Sequence, residues 1–288
     1  MGAESGAALQ WYPGHMTKTR RMLAGQMGLV DVVVELLDAR IPVSSRNPDI
    51  EALAKGKKRV LVLNKADLAD KDATALWEDF FRSKGFFALS LDATGAGVAG
   101  KLAAALAAAT REKRERQKAR GRVGGSVRAM VVGIPNVGKS TFINSLAGRA
   151  GAKASDRPGV TRGRQWLKAD GFDLLDTPGI LWPKFGSRAV GLNLAATGAI
   201  SDLVFDKEAV AGHLLETLCE TAPALVQKRY FKEAPAPAAP TLESIGEARG
   251  FKLKGGKTDL LRAAIVLLDE FRGGKLGRIT LETPPPPA

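Results

Sequence analysis

Gly133-Ile-Pro-Asn-Val-Gly-Lys-Ser-Thr141 lies between an apolar, β-like run, Val127-Arg-Ala-Met-Val-Val132, and a helix-like one, Phe142-Ile-Asn-Ser-Leu146. A G-x-x-x-x-G-K-S segment between a strand and a helix is the setting of a P-loop. Its glycines let successive N–H groups curl round an anion, and the helix start adds unpaired donors and a positive dipole end. Asn136, Val137, Gly138, Lys139, Ser140 and Thr141 are therefore expected to hold the phosphates of a nucleoside triphosphate. Lys139 would reach the β- and γ-phosphates, and the Ser140 hydroxyl would bind Mg²⁺.

Upstream of this loop, buried strand-like runs alternate with helical ones. Leu29–Leu37 and Val60–Leu63 are nearly continuous apolar strands, and Phe86–Leu89 reads as a third. Between them stand a short helix at Asp49–Gly56 and a longer one at Ala73–Lys84, and Lys101–Arg120 reads as one Ala- and Arg-rich helix. Such alternation predicts βαβ units, a mostly parallel sheet with flanking helices, and ligand loops at the carboxyl ends of the strands. Downstream, Gln165–Leu167 and Phe172–Leu175 predict a hairpin ending in Asp176-Thr-Pro-Gly179. From about Val190 the apolar period becomes helical. We expect an α/β domain over residues 1–185, a small all-α domain over 186–283 and a disordered Pro-rich tail at 284–288.

Composition narrows the class. The 288 residues suffice for roughly two cored domains, and no apolar run approaches the ~18 residues of a membrane span. The N-terminus lacks the basic start and apolar core of a signal peptide and the Arg/Ser-rich character of a transit peptide. Cys219 is the sole cysteine, which fits a reducing cytoplasm, and with His15 and His213 the sole histidines a His/Cys zinc site is not expected. A cytoplasmic monomer is expected. The net charge of +13 is concentrated between Lys101 and Arg128, which carry nine Lys/Arg against two Asp/Glu. That patch suits a polyanion such as RNA, or a solvated helix face.

Asn64-Lys-Ala-Asp67, directly after a buried strand, resembles the guanine-specificity loop of GTPases. The Asp67 carboxylate can accept from both N1–H and the 2-amino group of guanine, a donor pair adenine lacks. Asn64 would hold neighbouring loops, and the Lys65 stem would cover the base. Ser90-Leu91-Asp92-Ala93 resembles, more loosely, the next base-contacting loop, where a backbone N–H meets guanine O6.

In most GTPases the P-loop comes first and the guanine loops last. Here the order is reversed, and the basic helix at 101–120 would join the ordinary termini. The chain thus resembles the circularly permuted GTPases, and specifically the ribosome biogenesis GTPase A family. Six segments carry the likeness: Trp11–Met16, Asp38-Ala-Arg-Ile-Pro42, Asn64–Asp67, Gly133–Ser140, Pro158-Gly-Val-Thr161 and Asp176–Gly179. Gly191-Leu-Asn-Leu-Ala195 opens the helical part, as in family members. The resemblance implies a GTPase acting in late assembly of the large ribosomal subunit, with a helical tail that helps bind ribosomal RNA.

It also implies roles. Thr161 stands where a switch threonine binds Mg²⁺ and senses the γ-phosphate, Asp176 can hold the Mg²⁺ shell, and the Gly179 N–H can contact the γ-phosphate. The position often occupied by a water-orienting Gln holds Ile180. The histidine matching His15 is the catalytic candidate in family members, and Asn136 matches the residue type of GTPases that use a bound K⁺. The catalytic set is therefore His15, Lys139 and Thr161; Mg²⁺ falls to Ser140, Thr161 and Asp176, and K⁺ to Asn136.

Basic segments at Gln227–Lys232 and Phe251–Lys257 interleave aromatics with Lys/Arg, as phosphate contact plus base stacking would require. Two function classes stand. One is a GTP-hydrolysing switch; the other is a GTP-dependent RNA-binding module whose chemistry is incidental, which Ile180 favours. A GTP-using metabolic kinase fits less well, since no acceptor-activating motif is visible.

Overall fold

The computed structural model describes residues 15–121, 125–147, 166–169, 171–231 and 239–285, and of His15 the backbone alone. Helix α1 (His15–Gln26) leads through a 3₁₀ turn at Met27–Leu29 into β1 (Val32–Asp38). Then follow α2 (Pro48–Leu53), β2 (Lys58–Asn64), α3 (Lys71–Ser83), β3 (Phe87–Ser90) and α4 (Val98–Ala119). The P-loop strand β4 (Val127–Gly133) and α5 (Lys139–Ala147) precede the hairpin β5 (Trp166–Ala169) and β6 (Phe172–Leu175). The six strands lie in the order β3-β2-β1-β4-β6-β5, parallel except for β5. The first strand starts later than the apolar run suggests, because residues 27–29 are used in the turn.

Alternation along the strands sorts the core. Val32, Val34 and Leu36, with Val60, Val62, Ala129 and Val131, face the layer formed by Leu102 and Leu106 of α4 and Phe142 and Leu146 of α5. Val33, Met130 and Val132 face α1, against Met16 and Leu23, while Leu37, Leu61 and Leu63 meet Trp77 and Phe81 of α3. β1, β2 and β4 are covered on both sides, which is why β1 and β2 read as continuous apolar runs. Glu35, buried inside β1, is neutralised by Arg59 of β2, an ion pair across neighbouring strands.

Helix α4 carries the chain from the sheet edge at β3 back to its centre at β4. Its 22 residues span about 33 Å. The first half is anchored by Val98, Leu102, Leu106 and Ala109. From Arg111 to Gly121 nearly every residue is exposed. Here Lys113 pairs with Asp31 and Arg111 with Glu115, whereas Arg114, Arg116, Lys118 and Arg120 have no ion-pair partner among the described residues.

The remaining helices are α6 (Arg188–Ala196), α7 (Lys207–Thr221), α8 (Pro223–Tyr230), α9 (Leu242–Ala248) and α10 (Leu260–Arg272). Their apolar faces, among them Leu194, Leu214, Leu267 and Phe271, join the same continuous core as the sheet residues. The chain after α10 then returns to the α/β part. Ile279 N–H donates to the Leu68 carbonyl at 3.0 Å, Leu281 N–H to the Arg40 carbonyl at 2.8 Å, and Trp77 Nε1–H to the Glu282 carbonyl at 2.9 Å.

The interleaved aromatics of the two basic segments are used internally, which corrects the stacking expectation. Tyr230 is buried and donates to Glu270 at 2.8 Å, and Arg229 donates to the same carboxylate. Phe251 lies under the Arg262 guanidinium at 4.5 Å, and Phe231 is buried. Lys228, Lys254 and Lys257 remain exposed.

The candidate nucleotide site

The carboxyl ends of β1, β2, β4 and β6 bring the predicted loops together. Asn64, at the end of β2, donates through Nδ2 to the Val137 carbonyl at 2.8 Å, and its Oδ1 accepts from Ala93 N–H at 3.1 Å. One buried side chain thus ties the base loop to the P-loop and to the 90–93 loop. Lys65, at φ 60°, spans the same gap: its Nζ donates to the Asn136 carbonyl at 2.8 Å and to Asp38 at 3.0 Å. Lys65 lines a separate cleft with Arg40 and Asn136, and Asp67 is exposed.

Asp67 lines a cleft of about 690 Å³ with Ala66, Ser90, Leu91, Asp92 and Arg278. Three of the four amides of the 90–93 loop are already used. Ser90 N–H donates to Glu78 at 2.7 Å, Leu91 N–H to the Leu63 carbonyl at 3.0 Å, and Ala93 N–H to Asn64. This leaves the Asp92 N–H as the loop's donor towards a base, while its carboxylate accepts from Thr94.

In the P-loop, Gly138 adopts φ 96°, and a Cβ there would lie 2.4 Å from Asn64 Nδ2, so only glycine fits. Asn136 sits at φ 55° and its Nδ2 donates to the Gly198 carbonyl at 2.7 Å. Lys139 is buried, with Nζ donating to the Ile134 and Gly133 carbonyls at 3.0 and 3.2 Å. Burial lowers its pKa to about 8, against the opposing pull of Asp176. Ser140 and Thr141 are exposed in the first turn of α5.

Asp176 follows β6. Burial raises its pKa, while Lys139 and a hydrogen bond from Thr177 N–H act the other way. Gly179 passes so close to the P-loop that a Cβ would lie 3.0 Å from Pro135 and 3.1 Å from Lys139 Nζ. This approach is held on both sides: Ile180 N–H donates to the Gly133 carbonyl at 3.2 Å, and Asn47 Nδ2 donates to the Ile180 carbonyl at 3.1 Å. The Ile180 side chain is buried with Met130 and Leu175, facing away from solvent. Thr161 and the side chain of His15 lie outside the described residues.

Two residues without an assigned role in the sequence reading hold the site. Asp38, at the end of β1, accepts from Arg40 Nε at 2.8 Å, Arg40 NH2 at 2.7 Å and Lys65 Nζ. Burial alone would raise its pKa, but the Arg40 and Lys65 charges hold it well below the usual carboxylate range. Arg40 is itself almost fully buried and packs over the Phe271 ring at 5.2 Å. The signal was present: a charged Asp-x-Arg closing an apolar strand has to pair inside the protein.

A mostly parallel sheet whose P-loop follows its guanine-type loop defines a circularly permuted P-loop GTPase. Residues 128–223 match the family described as 50S ribosome-binding GTPase. The chain is 45% identical to the ribosome biogenesis GTPase A of Bacillus cereus, over 96% of this chain and 94% of that protein. It is 30% identical to the one from Thermotoga maritima, over 96% and 95%. The fold is similar to the crystal structure of GNP-bound YlqF from T. maritima, with a TM-score of 0.66 and 25% identity, covering 92% of this chain and 98% of that one. The chain belongs to the ribosome biogenesis GTPase A family and is a GTPase.

Proposed function

We propose that this GTPase is an assembly factor for the large ribosomal subunit, binding ribosomal RNA in its GTP form and leaving on hydrolysis. The observation that carries the reading is the joining of the helical part to the nucleotide loops, at Asn136–Gly198 and at Leu68–Ile279. A γ-phosphate that moves the P-loop or Gly179 can therefore alter a surface built by α6–α10, as nucleotide-gated binding requires. The names of the relatives point to the ribosome, and the cations from Arg114 to Arg120, without ion-pair partners among the described residues, suit an RNA backbone.

In this reading Asp67 takes the N1–H and 2-amino group of guanine, and the amides of Val137–Thr141 with Lys139 hold the phosphates. The exposed Ser140 hydroxyl in the first turn of α5 and the half-buried Asp176 carboxylate after β6 are hard oxygen donors, and this donor set fits Mg²⁺ with Thr161 as a third contributor. Bound there, Mg²⁺ would neutralise charge on the β- and γ-oxygens. The Gly179 N–H would contact the γ-phosphate, its backbone lying against Pro135 and Lys139 of the P-loop. Asn136 offers an amide oxygen as the K⁺ ligand, and His15 is the group to orient or polarise the attacking water. Ile180 is buried and cannot do so. That last point also favours the second reading, an RNA-binding module with incidental chemistry.

Cosedimentation with purified large subunits tests both. Binding is expected to be tighter with a non-hydrolysable GTP analogue than with GDP, to weaken steeply with salt, and to accompany faster turnover. Nucleotide-independent binding, or none, would overturn the assembly role. Nucleotide-gated binding without stimulated hydrolysis would select the module.

A further inference from the structure

The nucleotide motifs all precede Leu181, yet the cleft beside Asp67 has a wall from the far end of the chain. We propose that Arg278 is a guanine-binding residue, delivered by the segment after α10 to the edge of the base that Asp67 does not read. The inference rests on the assignment of Asp67 as the guanine-specificity carboxylate.

Three observations converge. Arg278 lines the same cleft as Asp67, Leu91 and Asp92, and is exposed, with no hydrogen bond or ion pair among the described residues. The other arginine of that cleft, Arg82, is already engaged by Glu78, Asp79 and the Ala88 carbonyl. The backbone on the C-terminal side of Arg278 is pinned. Ile279 N–H holds the Leu68 carbonyl, the Thr280 hydroxyl accepts from Asp70 N–H at 3.1 Å, and Leu281 N–H holds the Arg40 carbonyl. These contacts bracket the residues that follow Asp67, so the Arg278 backbone is held beside the base loop and its exposed side chain lines the cleft.

The chemistry is complementary. A guanine whose N1–H and 2-amino group are taken by Asp67 still presents two acceptors, O6 and N7, on its adjoining edge. A guanidinium has only donors, in a planar fork that matches that pair, and it also stacks on a purine face. Neither contact involves a phosphate, so Arg278 should act equally on di- and triphosphate.

Fluorescent GDP and GTP-analogue titrations on the full chain test this. Arg278→Ala is expected to weaken both nucleotides by the same factor, on the order of tenfold. Arg278→Lys, which keeps charge but loses the fork, should recover only part of the loss, and Lys275→Ala, a neighbouring exposed cation outside the cleft, should change nothing. Unchanged affinity in Arg278→Ala, a selective loss of the triphosphate, or an equal loss in Lys275→Ala would overturn the proposal. Asp67→Asn serves as the reference. If it shifts preference to xanthine nucleotides while Arg278→Ala is silent, the base site stands and the Arg278 inference falls. If Asp67→Asn leaves guanine binding intact, both fall.

Discussion

Asn136 of the P-loop donates its side-chain amide to the Gly198 carbonyl, 2.7 Å away in the turn that ends α6. The same residue offers its own carbonyl to Lys65 of the guanine loop at 2.8 Å. One strained position, at φ 55°, therefore joins phosphate loop, base loop and helical part.

Asn136→Gly keeps the left-handed backbone and removes the amide. It should cost at most about 1 kcal/mol of stability, because the exposed carbonyl can turn to water. Asn136→Ala should cost roughly 1 kcal/mol more, since a Cβ is disfavoured at positive φ. Urea unfolding of the two variants decides it; equal stabilities would mean that the backbone relaxes freely. If Asn136 also holds K⁺, wild-type turnover should be higher in K⁺ than in Na⁺, and Asn136→Gly should lose the difference.

Lys139 is expected to make nucleotide binding pH-dependent. Burial lowers its pKa to about 8 in the free protein, so above that pH the ammonium must regain a proton to meet a triphosphate. A bound phosphate raises the pKa, and affinity therefore falls as pH rises through 8. Between pH 7 and 8.5 the loss should be about fourfold. Lys139→Arg stays charged and should lack this component, though its affinity will differ. Guanine N1–H begins to titrate in the same range for both proteins, so the difference between the two slopes is the quantity to measure. Parallel slopes would place the lysine's pKa elsewhere.

Ile180 and His15 divide the question of catalysis. A buried amide at position 180 would find only apolar neighbours, so Ile180→Gln should lose roughly 1–3 kcal/mol of stability without raising turnover. A faster enzyme would mean that this side chain can swing to the γ-phosphate. His15→Ala should keep nucleotide affinity while subunit-stimulated hydrolysis drops by a factor on the order of 10 to 10⁴. Equal losses in affinity and rate would assign His15 to structure.

Strands and P-loop were legible because local pattern and tertiary environment agree there. β1 and β2 are covered on both faces, so each reads as an unbroken apolar run, and Gly138 is forced by the approach of Asn64. Charges whose partners are distant in sequence were not legible. Arg229 and Tyr230 look like an RNA-binding pair until Glu270, forty residues on, is seen to engage both. The pairing of Arg40 with Asp38 is local and was open to reading, but its place over the Phe271 ring of α10 was not. The return of the C-terminal segment to Leu68 rests on backbone hydrogen bonds, which leave no mark in side-chain pattern.

That return changes what truncation should do. From motif positions alone, removing residues 186–288 would weaken RNA binding more than GTP binding. Glu282 ties the C-terminal segment to the α/β part, so its loss is expected to reach nucleotide binding as well. Its carboxylate accepts from Val43 N–H, Ser44 N–H, the Ser44 hydroxyl and Asn193 Nδ2, which pins the segment carrying Arg278 against the loop after β1. Glu282→Ala leaves these donors without an acceptor and should cost roughly 2–4 kcal/mol. Amide exchange at Ile279 and Leu281 should accelerate, and guanine nucleotide affinity should fall with it. Glu282→Gln keeps a neutral acceptor and separates charge from packing. Burial raises the Glu282 pKa above 4.5, so the contribution of its protonated form is full below that pH and fades as pH rises through the folded value. The stability advantage of wild type over Glu282→Gln should therefore shrink from pH 5 to pH 8. A gap that widens instead would mean that the ionised carboxylate is the form the four donors hold. Unchanged exchange and unchanged GDP affinity in Glu282→Ala would show that the C-terminal segment is passive.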